Sequence, residues 1–132
     1  MNNSPTLGNL VFTDLGINLD EVPIETFFYY QAVEYFFNVE DEPPPTVSNL
    51  DKVRRYMQSF EHLCEVEDWE RAKTILFVRL NTPTQQTLDN QLLTWGYHRE
   101  RIDLYSRVLN KLSPILDTSL LLGLGGSYKI VG

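Results

Sequence analysis

Along most of this chain the hydrophobic positions recur at steps of three and four. The clearest run is Val53, Tyr56, Met57, Phe60, Leu63 and Cys64, which one side of an α-helix would share, with Ser48 or Asn49 placed to cap it. A second helix is predicted to start near Asp68 and to carry Trp69, Ala72, Ile75, Leu76 and Leu80 on one side, its acidic start (Glu67, Asp68, Glu70) matching the positive end of the helix dipole. In NTPTQQ, Thr82 is the expected cap, Pro83 the first helical residue and Gln85 the capping-box partner of a helix that turns Leu88, Leu92 and Trp95 inward and stops at Gly96. From His98 the period resumes through Ile102, Tyr105, Val108, Leu109 and Leu112 to Ser113-Pro114, and Asp117 is the expected cap of a last helix reaching Val131.

Upstream the pattern changes. Pro23 suits the first turn of a helix that should run to about Val39, and this helix is unusually aromatic (FFYYQAVEYFF). Residues Met1 to Asp20 show no sustained period and contain Pro5, Gly8 and Gly16, so an irregular lead-in is predicted, with a short extended stretch at Leu10 to Thr13. EDEPPPTVSN, Glu40 to Asn49, joins three acids to three consecutive prolines, which exclude helix and favour a stiff extended connector. It divides the chain into residues 1–48 and 49–132. The expected fold is all-α: five or six helices whose short turns make antiparallel hairpins.

Composition narrows the partners. The chain has 132 residues, 42% of them hydrophobic, which suits one packed domain. Its net charge of -7 disfavours nucleic acid and an anionic membrane surface. The first fifty residues hold eight acids and no Lys or Arg, whereas the remainder is nearly balanced. A single cysteine, Cys64, and the lack of a basic then apolar leader fit a reducing cytoplasm. No apolar run approaches the ~18 residues of a membrane span.

The glycines of GLGGSYKIVG, Gly123 to Gly132, raise the question of a phosphate loop. Neither G-x-x-x-x-G-K-[ST] nor a G-x-G-x-x-G turn between strand and helix is present, and TSLLL before them continues a helical period. His62 and Cys64 stand two apart, whereas ligands on one helix face stand three or four apart, so Cys64 is expected in the core. His98 has no serine-acid partner, and the acids from Glu65 to Glu70 lack the calcium-loop arrangement. No cofactor, metal or catalytic residue is expected.

LLGLGGSYKIVG resembles the tetratricopeptide signature W-x2-L-G-x2-Y, with Leu121 in the tryptophan place, then Leu124, Gly125 and Tyr128. Under that resemblance Gly125 is the small residue that lets two helices approach, and Gly132 begins the turn of a repeat that stops halfway. EVEDWERAKTIL, with Trp69, Ala72 and Leu76, resembles a second half-repeat, and WGYHRERIDLYSRVL another, except that Arg101 stands where a small residue is usual. The segment HLCEVEDWERAKTILFVRLNTPTQQTLDNQLLTWGYHRERIDLYSRVLNKL and its connector resemble the opening of the repeat array in large cyanobacterial tetratricopeptide proteins, often found behind signalling ATPases of the STAND type. The resemblance implies hairpins over Lys52 to Leu80 and Thr84 to Leu112 and a truncated third, forming an α-solenoid.

It also implies a scaffold that binds another protein or peptide and is not an enzyme, with a regulatory fragment of a nucleotide-driven signalling ATPase as the rival. The concave side, built from the first helix of each pair, would present Arg54, Arg55, Gln58, Asn90 and Gln91. The aromatic helix has two readings: Phe27, Phe28, Tyr35 and Phe36 cap the open end of the stack, or the exposed rings, Phe28 and Tyr29 among them, dock another chain. An array ending halfway through a repeat would leave Leu121, Leu124 and Tyr128 only partly buried. Self-association through that end, or the aromatic helix folded over available apolar surface, is the expected remedy.

Overall fold

The computed structural model describes residues 4–131, and in them the chain is all-α, with one isolated antiparallel bridge, Arg79 to Thr87, as the sole β pairing among the described residues. Gly132, expected to open a turn, lies outside the described residues. Eight α-helical segments follow one another: α1 (Leu7–Leu15), α2 (Phe27–Glu34), α3 (Asn49–Lys52), α4 (Arg54–Glu65), α5 (Trp69–Leu76), α6 (Leu88–Trp95), α7 (His98–Val108) and α8 (Pro114–Val131). No helix among the described residues is long and apolar enough to cross a membrane.

Within the lead-in, Leu7–Leu15 forms a helix in place of the irregular or extended segment expected, and the chain is irregular again from Gly16 to Asp20. Thr6 and Asn9 exchange side-chain to backbone hydrogen bonds in a capping box, and Gly16, at φ 66°, closes the other end. Asn in place of the usual Glu or Gln at the third position hid the box, although Leu7, Val11 and Leu15 already step by four. Gly8 brings α1 against the next helical segment, because a Cβ there would lie within 2.5 Å of the Phe37 carbonyl oxygen.

The aromatic segment is helical from Ile24 to Val39: a 3-10 turn (Ile24–Thr26), then α2, then a π-helical turn (Tyr35–Val39) in which Glu40 N–H donates to Tyr35 O at 2.8 Å. Its buried face is Tyr30, Val33 and Phe37. Phe27 and Phe36 are half-buried, while Phe28 and Tyr35, expected to cap the stack, are exposed. The carbonyls freed at the π-turn are taken by others: Asn9 Nδ2 donates to Phe37 O, and Arg55 donates to Phe36 O.

Ser48 caps α3 through the Asp51 N–H, and α4 buries Tyr56, Phe60, Leu63 and Cys64 as the period predicts. Asp68 caps α5 through Arg71 N–H, but α5 ends at Leu76. Leu80, expected on that helix, is buried from a loop instead, where its N–H donates to Gln86 O. The following loop displaces the expected cap. Leu88 N–H donates to Val78 O, α6 starts at Leu88 rather than after Pro83, and Thr87 occupies the cap position. The Thr82 hydroxyl is occupied elsewhere, donating with that of Thr84 to Gln91 Oε1.

Gly96, at φ 86°, ends α6 as predicted. α7 ends at Val108, four residues early, and Asn110 at φ 66° reverses the chain. Ser113 rather than Asp117 caps α8, by accepting from Leu116 N–H, while Asp117 accepts from Asn110 N–H. The core is continuous from Val11 to Leu124. Within it α2 packs on α4, α4 on α5, α5 on α7, and α7 on both α6 and α8, so α2 and α8 lie at opposite ends of the series.

Candidate interaction surfaces

Two polar clusters, one half-buried and one sealed, position the helices before any surface is formed. Beside α1, Tyr30 donates to Asp68 Oδ2 at 2.7 Å, and Arg71 reaches the same oxygen at 2.7 Å while donating to the carbonyls of Leu15 and Gly16 at the end of α1. Burial, then the bond to Asp68 and its charge, push the Tyr30 phenol up to about 12. Under α8, the buried Arg101 guanidinium donates to Asp89 O, Gly123 O, Ser127 Oγ and the Tyr105 hydroxyl, which in turn donates to Asp89 Oδ2. Burial, followed by the bond to Asp89, raises the Tyr105 phenol strongly. Arg101, a misfit to the repeat pattern, is therefore the tie between α6, α7 and α8.

A Cβ on Gly123 would lie 2.3 Å from Tyr105 Cε2, so Gly123 is where α7 and α8 touch. Gly125, expected to meet the second helix of its own repeat, and Gly126 both face open space. Leu120, Leu124 and Ser127 are buried on the same face as Gly123; Leu121 and Tyr128, expected to be only partly buried, are more than half exposed, whereas Leu124, expected to share that exposure, is buried. The glycines lie inside a helix, where its own carbonyls occupy the backbone N–H groups that a phosphate loop would turn toward an anion.

The polar residues expected on one concave side are dispersed. Arg54 and Gln58 stay together: Arg54 donates to Gln58 at 2.9 Å and pairs with Glu40 at 2.7 Å, and both line a hollow of about 290 Å³ between α4 and α7. Asn90 is exposed on α6. Arg55 and Gln91 are buried, contrary to their expected surface role. Arg55 pairs with Glu42 at 2.6 Å, and Gln91 accepts from Thr82 and Thr84, because the 40–48 connector and the 80–87 loop fold over them. Cys64 is buried as expected, and burial pushes its thiol up to about 11, away from a reactive thiolate.

The larger surface feature is a groove of about 770 Å³ between the proline connector and the 80–83 turn. Tyr56 and Trp95 supply rings, Pro43 to Pro45 form one wall without N–H donors, and Lys52 and Asn81 bring polar groups to it. Trp95 and Lys52 carried no functional signal in the sequence, since the groove joins segments about forty residues apart.

Both outer helices also keep unpartnered apolar faces. On the aromatic segment Ile24 (82% exposed), Phe28 (77%), Tyr35 (50%) and Val39 (63%) stand four, seven and four residues apart, on one stripe. Tyr29 lies beside it with its ring edge-on to His62, 5.7 Å between centroids. On α8, Leu121, Leu122, Tyr128 and Ile130 are exposed around Gly125 and Gly126. Comparison with known proteins adds no relative: no protein-family model, curated protein or solved structure matches the chain.

Proposed function

We propose that the chain is a protein-interaction module of tetratricopeptide type, without catalysis of its own, that holds an extended segment of another protein in the groove beside the proline connector. The observation that carries this reading is the groove of about 770 Å³ lined by Tyr56, Trp95 and Pro43 to Pro45. Rings and proline faces accept bulky apolar side chains at little entropic cost, because the walls are already stiff. Lys52 in the lining favours a segment with a carboxylate beside its apolar anchor. The all-helical scaffold supports such a role, since stacked hairpins hold surface positions from distant parts of the chain in fixed relation.

Selection of extended peptides from a random displayed library on the folded chain tests this. The expected peptides compete with one another and lose at least about tenfold in affinity for Lys52→Glu and for Asn81→Arg, two changes at the groove that leave the core intact, each tenfold being ~1.4 kcal/mol. Selection that yields no binder, or binders indifferent to both substitutions, overturns the reading. ATP and GTP are expected to leave the melting temperature unchanged.

A further inference from the structure

The two outer helix faces lie outside the groove, and each lacks a partner within the chain. α2 packs on α4 at one end of the series and α8 on α7 at the other, so neither covers the other. The stripe Ile24, Phe28, Tyr35 and Val39 and the α8 face around Leu121, Leu122 and Tyr128 stay open to water. Apolar patches of this kind mark association sites.

Their charges differ. Residues 1–50 carry eight acids and no Lys or Arg, whereas α8 carries one acid, Asp117, in its first turn and one base, Lys129, in its last. Of the acids near the stripe, Glu40 and Glu42 are paired with Arg54 and Arg55, but Asp20, Glu21, Glu25 and Asp41 form no ion pair among the described residues. On α8, Lys129 is the only charge after Asp117; it is exposed and likewise forms no ion pair among the described residues.

We infer that the occupant of both faces is a second copy of this chain: α8 of one copy docks head-to-tail on the Ile24–Val39 stripe of the next. Like faces do not pair as well. Two stripes facing each other bring unpaired acids together, and two α8 faces bring Lys129 against Lys129, whereas the mixed contact sets Lys129 among acids. The surface of α8 suits an aromatic guest, since nothing beyond the neighbouring residues and the helix's own backbone comes within 4 Å of where a Cβ on Gly125 or Gly126 would stand, which leaves room for a ring between Leu121, Leu122 and Tyr128. Unlike faces joined in this way generate chains or closed rings rather than a simple two-fold dimer.

Sedimentation of the 132-residue chain tests this. The weight-average mass is expected to rise with concentration above that of one copy in low salt, and to rise less at ~1 M salt, where screening shortens to ~3 Å. Two paired substitutions at exposed sites block one end each: Phe28→Glu with Tyr35→Glu, and Leu121→Glu with Leu122→Glu. Each variant alone is expected to be monomeric with a helical spectrum and cooperative melting like the wild type. Mixed in equal amounts, they should form a complex that stops at two copies, because each supplies the end the other has lost. Lys129→Glu, which changes no packing, should weaken wild-type association at least tenfold in low salt. A wild-type chain that stays monomeric at all concentrations, a blocked variant that associates as the wild type does, or a mixture that fails to pair overturns the inference. Loss of this association leaves peptide binding in the groove intact, so the two readings fail separately.

Discussion

The two polar clusters, one beside α1 and one beneath α8, use the same three residue types with different wiring. Near α1, Tyr30, Asp68 and Arg71 meet with the arginine directly on the carboxylate at 2.7 Å, and both charged groups are only half-buried. Beneath α8, Tyr105, Asp89 and Arg101 are all buried, and no direct ion pair joins Arg101 to Asp89; the Tyr105 hydroxyl stands between them, accepting from one and donating to the other. The first arrangement caps the end of a helix with water close by. The second is sealed, so every donor and acceptor depends on the others, and a missing member leaves charge or polar groups without solvent.

Removing the arginines gives the widest separation between the clusters. Arg101→Met is expected to destabilise the chain by about 3–5 kcal/mol, because Asp89 stays behind as a buried charge and Gly123 O and Ser127 lose their donor. Arg71→Met should cost only about 1–2 kcal/mol, since water can reach Asp68 and the α1 carbonyls. Urea unfolding with unchanged slopes measures both, and equal costs would show that burial is not what distinguishes the clusters.

The phenols come next. Tyr105→Phe should cost about 2–3 kcal/mol and Tyr30→Phe about 1 kcal/mol, the first leaving both an acceptor and a donor unpaired and the second one acceptor that still holds Arg71. Gly123→Ala, which forces a methyl into the Tyr105 ring, is expected to cost about 1–3 kcal/mol. In the same helix Gly125→Ala and Gly126→Ala should each stabilise by up to about 1 kcal/mol, because they improve helix propensity in open space.

The effect of pH is smallest near neutrality. The folded phenol of Tyr30 ionises near 12 against 10 for the free side chain, so its contribution to stability is whole below pH 10 and falls away as pH rises from 10 to 12. Alkaline unfolding monitored by circular dichroism should therefore start above pH 10, and Tyr30→Phe should flatten it. A wild-type curve already falling at pH 9 would mean that neither phenol is held as the structure shows.

The sequence by itself determined the helical class, because steps of three and four leave one apolar face per segment, and α4 buries the Tyr56, Phe60, Leu63 and Cys64 that its period names. It also determined the stops that need special backbone, such as Gly96 at φ 86°, and the helix-free connector around Pro43 to Pro45. α1 was legible in Thr6, Gly16 and the four-residue steps, although Asn9 disguised its capping box.

What only the tertiary structure decided is which of several equivalent surfaces turns inward. α8 is apolar on nearly every side, so periodicity could not select Gly123 over Gly125, and the aromatic segment has bulk all round, so it could not select Tyr30, Val33 and Phe37 over Phe28 and Tyr35. Arg101 and Gln91 look like surface residues in any local window. They become interior residues because partners from other segments, Asp89, Tyr105 and Gly123 for one and Thr82 and Thr84 for the other, supply bonds that replace those to water. Local spacing shows where a helix can form, but the burial of its polar side chains depends on hydrogen-bond partners elsewhere in the chain.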